Sequence, residues 1–225
     1  MNCSVSVALS PMGHHPADHV AAEDVEHDVE RIRAYASLAG TTTITDNEQL
    51  TPVDSRAAGR GDRDMDERER LRQATELWQE AYRYQMEGDR DRAIEVYQRS
   101  IDVYPTAEAH TFRGWAMSFQ GRLEEAIDDC LRAIEIDPDF GNPYNDIGVY
   151  LMQQGKLDEA IPWLEKAKQA RRYEPRQFPF MNLGRIYFKQ GRWWDALREF
   201  EGAVRAAPED IQSHKVLHSL RARLN

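Results

Sequence analysis

Four glycines, each followed five residues later by an alanine, recur along the chain: Gly88 and Ala93, Gly121 and Ala126, Gly155 and Ala160, Gly191 and Ala196. Their spacings are 33, 34 and 36 residues, the period at which a chain is expected to build stacked supersecondary units. One pair of short helices cannot bury its apolar face alone, so each pair needs a neighbour. Four such units are enough to stand as one array.

Other residues keep the same register. The last unit reads Phe180-x-x-Leu183-Gly184-x-x-Tyr187, then Gly191, Ala196-x-x-x-Phe200, Ala203 and Pro208. The third has Tyr144, Ile147, Gly148 and Leu151, followed by Ala160 and Leu164; the second has Gly114, Ala126, Cys130, Ala133 and Pro138. The first carries Ala81 in place of the first glycine but keeps Tyr84, Gly88, Ala93, Tyr97 and Pro105. In these residues the chain, from about Ala74 to Pro208, resembles the tetratricopeptide repeat family. The resemblance implies an all-α, right-handed α-solenoid of four helix-turn-helix repeats, at about 74–106, 107–140, 141–176 and 177–208.

Gly114, Gly148 and Gly184 are expected where paired helices cross closely, answered by Ala93, Ala126, Ala160 and Ala196 from the second helices. Arg172 stands where a proline would close the third unit, and the added residues up to Pro179 are expected to protrude. After Pro208, residues 209–225 read as a capping helix. It would have Ile211, Val216, Leu217 and Leu220 on one face and Lys215, Arg221 and Arg223 outside, as the open end of a solenoid requires.

The rest of the chain is different in kind. Residues 1–64 hold 11 acidic and 5 basic side chains and no tryptophan or phenylalanine; all five Trp and all seven Phe lie beyond them. Such a stretch lacks the material for a core and reads as an acidic, mostly disordered extension. A short helix is expected at 18–38, where Val25, Val29, Ile32 and Ala36 recur at helical spacing, and residues 40–64 read as linker. Met65 sits at the composition break, a second candidate for the start of translation, and the first repeat's helix is expected from about Asp66.

The net charge of −10 disfavours nucleic acid as a partner, since polyanion binding draws on Lys and Arg. No run approaches the roughly 18 apolar residues that span a bilayer, so a soluble, cytoplasmic protein without membrane insertion is expected. Cys3 and Cys130 form no disulfide framework, and Cys130 reads as a small buried apolar residue.

Chemistry is sparse. His14, His15, His19 and His27 with Asp18, Glu23, Asp24 and Glu26 are ligand types for zinc or nickel, but a metal site needs fixed geometry that a tail does not supply. There is no nucleophile elbow, phosphate loop or paired Cys and His, and His110, His214 and His218 fall on separate helices. The chain therefore reads as a non-enzyme with no catalytic residue, cofactor or metal. Lys166, Lys168, Arg171, Arg172 and Arg176 form a basic cluster, read either as cations at a helix C-terminus or as a dock for an acidic segment. Trp163, Trp193, Trp194 and Phe200 fall on second helices, where packing or surface cover is expected.

The family resemblance implies that the first helices line a concave groove. The residues expected to project into it are Trp78, Tyr82, Thr111, Trp115, Asn145, Val149, Asn182 and Arg185, with Phe119, Met152 and Phe188 one turn further. Some members of the family clamp a C-terminal carboxylate with Lys, Arg and Asn; that set is absent here, since Trp78 and Tyr82 stand at its first two places. The implied role is a protein–protein interaction module, an adaptor, scaffold or assembly factor taking a protein or peptide segment. The alternatives are a homo-oligomer built through Trp193, Trp194 and the solenoid ends, a metal or enzyme role for the N-terminal histidines, and a groove regulated by the helix around Val25 to Leu38.

Overall fold

The computed structural model describes residues 58–224, with side chains from Asp66 onward. Among them lie nine α-helices and one isolated bridge: α1 (Ala58–Met86), α2 (Arg90–Val103), α3 (Ala107–Ser118), α4 (Leu123–Ile136), α5 (Asn142–Gln153), α6 (Leu157–Gln169), α7 (Gln177–Lys189), α8 (Trp193–Ala206) and α9 (Ile211–Leu224). The breaks follow the sequence. Each first helix stops at a glycine with positive φ, as at Gly191 with φ 72°, where a Cβ would cost about 1–2 kcal/mol. There the Arg192 N–H donates to the Tyr187 carbonyl at 2.8 Å and the Gly191 N–H to Phe188 at 3.1 Å, which satisfies the last carbonyls of α7. The same closure joins Asp89 to Tyr84, Arg122 to Met117 and Lys156 to Leu151. Three second helices end two residues ahead of Pro105, Pro138 and Pro208, which cannot continue them.

The helices pair as α1–α2, α3–α4, α5–α6 and α7–α8, and α9 covers α8. First helices also touch one another along the array, α1 with α3, α3 with α5 and α5 with α7, so they form the inner layer of a solenoid. Within each pair the axes come close because a side chain is missing. A Cβ on Gly148 would lie 2.5 Å from Leu164 Cδ2, one on Gly184 2.4 Å from Phe200 Cε1, and one on Gly114 2.9 Å from the Ala126 carbonyl. Ala93, Ala126, Ala160 and Ala196 are all buried as expected; Ala126 is the nearest neighbour of Gly114, while at Gly148 and Gly184 the nearest side chain is the larger residue one turn after the alanine.

Adjacent units are tied at one edge by a repeating bond. Gln120, Gln154 and Gln190, each one residue before a turn glycine, donate to Asp91 (2.6 Å), Glu124 (3.3 Å) and Asp158 (2.8 Å) of the preceding unit. At the other end, the Ser100 hydroxyl donates to the Ala74 carbonyl at 2.7 Å, fixing α2 on α1. Cys130 is buried in the core beside Ile147 and Leu164.

Several expectations need correction. The connection after α6 does not protrude: Tyr173 is buried, the Gly141 N–H donates to the Arg172 carbonyl at 2.9 Å, and the Arg172 N–H donates to Asp139 at 3.0 Å. The Arg172 guanidinium lies 4.1 Å over the Phe140 ring and bonds both Asp137 and Glu108. An aromatic ring and paired backbone groups are more stable folded back than in water. The basic cluster is correspondingly engaged: Lys166 lies over Trp163, Lys168 bridges Glu165 and Glu199, Arg171 pairs with Asp139 and Arg176 with Glu174.

Helix α1 begins at Ala58 rather than Asp66, so the end of the expected linker is helical; an existing helix gains a bond for each residue it adds. In α9, Leu217 and Leu220 are buried and Val216 packs beside them, but Ile211 is 68% exposed. Six residues at 100° each turn it about 120° away from Leu217. The expected helix at 18–38 and the N-terminal histidines lie outside the described residues.

The largest buried charge cluster joins α3 to α4. Asp129 is buried, accepts from Arg113 Nε at 2.8 Å and Nη2 at 2.5 Å, and stands 3.1 Å from His110 Nδ1. Burial opposes its ionisation, yet the bonds from Arg113 and His110 prevail and hold the carboxyl below the usual aspartate range. A depressed carboxylate stabilises the fold above its unfolded pKa and loses that contribution as pH falls through the folded value. Asp129→Asn is thus expected to cost about 3 kcal/mol at neutral pH, because it strands a buried guanidinium. In urea denaturation the gap from the parent protein should shrink as pH drops below about 4. Gly184→Ala should lower stability by about 1–3 kcal/mol through overpacking against Phe200, measured the same way.

Candidate functional site

Along the inner layer the side chains divide into an aromatic half and a polar half. Trp78 and Tyr82, four residues apart on α1, stack with ring centroids 5.9 Å apart and planes at 12°. Both meet Phe112 of α3 edge-on, at 5.2 and 5.7 Å. Phe112 in turn meets Trp115 at 5.9 Å, and Trp115 meets Phe119 at 5.7 Å. The row ends in the open: Phe119 is 44% exposed, with the Arg90 guanidinium 4.7 Å above its ring. Such edge-to-face pairs each contribute about 0.5–1.5 kcal/mol beyond burial and hold the rings in fixed orientations. Burial pushes the Tyr82 phenol up from its usual range, consistent with a largely apolar setting.

The polar half lies on α5 and α7. Asn182 Nδ2 donates to Asn145 Oδ1 at 3.0 Å, and Arg185 Nη1 donates to Asn182 Oδ1 at 3.2 Å. Asn145 stands three residues before Gly148 and Asn182 two before Gly184, so the amides meet although they are one step apart in the repeat register. Met181, the register partner of Asn145, is buried instead in the core of the last unit.

The eight residues expected on this surface are therefore placed as follows. Trp78, Tyr82, Val149 and Arg185 are half-buried, while Thr111, Trp115, Asn145 and Asn182 are buried. The Thr111 hydroxyl donates to the Ala107 carbonyl at 2.7 Å, within its own helix. Residue-by-residue reading overlooked Phe112, the ring that Trp78, Tyr82 and Trp115 share. Its signal was a spacing of 34 from Trp78, between the small residues Ala109 and Ala116.

Among the described residues, no group of three or more His, Cys, Asp or Glu could hold a metal ion. No helix among them is long and apolar enough to cross a membrane. The geometry is a packed row of rings, with Trp78 and Tyr82 half-buried and Phe119 exposed, continued by buried amides and the half-buried Arg185 guanidinium.

Comparison with known proteins places this geometry. Two models of the tetratricopeptide repeat match residues 79–139 and 130–161. The small glutamine-rich tetratricopeptide repeat-containing protein 2 of Mycosarcoma maydis is 33% identical over 99 residues, 44% of this chain and 28% of that protein. Photosystem I assembly protein Ycf3 of Prochlorococcus marinus is 28% identical over 119 residues, 48% of this chain and 69% of that protein. This chain thus spans about a quarter of the first relative's length. Among solved structures, PilF of Pseudomonas aeruginosa superposes with a TM-score of 0.64 at 21% identity, covering 68% of this chain and 70% of that one. MamA gives 0.54 at 21% identity, covering 72% and 98%. With glycine turns, close helix crossings and stacked first helices recurring within and beyond the matched residues 79–161, the chain carries tetratricopeptide repeats over that stretch and is similar to the same family in the unit that follows it.

Proposed function

We propose that the chain is a non-catalytic interaction module, an adaptor, scaffold or assembly factor, that binds a segment of a partner protein along its first helices. Tetratricopeptide repeats mediate protein–protein contacts, and the work of such a module is recognition, which needs no nucleophile or cofactor. The observation that carries the reading is the row Trp78, Tyr82, Phe112, Trp115 and Phe119, running from the interior to an exposed ring. Tryptophan, tyrosine and arginine are the residue types that dominate interface energies. Rings locked by one another lose little freedom on binding, which reduces the ordering cost of association. The name of the cyanobacterial relative, a photosystem assembly protein, agrees with an assembly role.

The test is affinity capture from native lysate with the full chain, beside a variant carrying Tyr82→Ala and Arg185→Ala whose circular dichroism is unchanged. Both residues are half-buried, so the fold should tolerate them. A partner retained by the parent should fall at least about tenfold with the variant. Equal retention by both baits would place the partner on another face and overturn the groove.

A further inference from the structure

The first helices leave one large apolar feature of the array unused. Trp194, in the first turn of α8, is 69% exposed, and Trp193 beside it is 44% exposed. Trp193 is held edge-on against Phe188, with centroids 4.9 Å apart and planes at 83°, and the Arg223 guanidinium lies 5.8 Å from the same Phe188 ring. Trp194 has no such support. It stands at the head of the outward face of α8, with Arg198 one turn later and Arg205 eleven residues on, nearly in line at 100° per residue. Asp195 accepts from Arg192 Nε at 2.8 Å and from Arg198, which fixes both guanidiniums, Arg192 also lying 4.2 Å over the Tyr187 ring.

The surroundings are basic in an acidic chain. Residues 189–224 carry seven Lys and Arg against five Asp and Glu, while the whole chain is at −10. Three of the acids are already matched, Asp195 to Arg192 and Arg198, Glu199 to Lys168 at 3.1 Å and Glu201 to Arg221 at 2.7 Å. Among the described residues, Lys189, Arg205, Lys215 and Arg223 have no ion-pair partner. A second copy meeting this face with the same face would set these cations against themselves. A bilayer surface rewards a continuous apolar stripe, whereas here Trp194 is followed along its face by Arg198 and Arg205.

We propose that the outward face of α8 around Trp194 is a second docking surface, which takes an acidic segment of another protein bearing an aromatic or aliphatic residue beside its carboxylates. An exposed tryptophan next to oriented guanidiniums is the pattern of an interface hot spot, and the surrounding cations make the contact salt-sensitive. This surface is separate from the groove and does not depend on it.

The probe is a labelled synthetic peptide of glutamates interrupted by phenylalanine and leucine, titrated by fluorescence anisotropy with the full chain. Binding should appear at low salt and weaken as salt rises. Trp194→Ala should weaken it at least about tenfold, Arg198→Glu should abolish it, and Tyr82→Ala in the groove should leave it unchanged. Trp194 and Arg198 are exposed, so neither variant disturbs the fold. No binding by the parent, or binding indifferent to Trp194→Ala, overturns the proposal. So does loss of binding with Tyr82→Ala alone, which would put the peptide in the groove. Binding to phosphatidylserine vesicles in place of the peptide would make the surface a lipid contact. A concentration-dependent dimer that Trp194→Ala dissolves would make it a contact between copies.

Discussion

The array depends on how closely two helices can approach within each unit. Helix axes settle 8–10 Å apart according to the side chains between them, and at Gly114, Gly148 and Gly184 there is none. The space goes to Leu164 and Phe200, which lie where a Cβ would have to be. The first unit shows the alternative. Ala81 stands at that position, and the residue sixteen later is Tyr97, buried with its hydroxyl donated to Gln85 Oε1 at 2.9 Å. The added methyl of Ala81 is fully buried there. The crossing, not any single helix, is therefore the element from which the solenoid is built; short helices of this length are marginal alone.

Stacking the crossings brings different chemistry to different faces. At one edge the glutamine before each turn glycine reaches the acid of the unit before it, so the repeat period becomes a ladder of polar contacts. Between the second and third units the added residues around Arg172 serve as a strap. Its guanidinium covers Phe140 and bonds acids from two earlier helix ends, Glu108 and Asp137. An irregular segment that looks like a surface excursion thus closes a joint between units. The buried Asp129 with Arg113 and His110 does the same inside the second unit.

Two surfaces of opposite character result. The inner layer gathers rings that support one another and ends in an amide and a guanidinium that are themselves bonded. The outer face of α8 presents an indole supported by little, among cations held in place by Asp195. In the first the rings hold one another in place; the second combines charge with one exposed indole.

Much of this was legible in the chain. The period, the turn glycines, the proline stops and the capping helix follow from local rules: a positive φ admits glycine, proline ends a helix, and an apolar stripe needs cover. The choice of first-helix residues for the inner surface was legible only as a face. Periodicity says which side of α3 or α5 looks inward, but not what stands opposite, and that is set by the rise and twist from one unit to the next. Hence Phe112 rather than Thr111 became the shared ring, Asn182 reached Asn145 across a register step, and Tyr173 turned inward from a connection expected to protrude. The sequence by itself determined the repeat, its glycine turns and proline stops, and the need of each unit for a neighbour, because those are properties of short segments. Which residues meet across the units was decided by the tertiary structure alone, because contact between residues 30 or more positions apart depends on how each helix pair packs on the next.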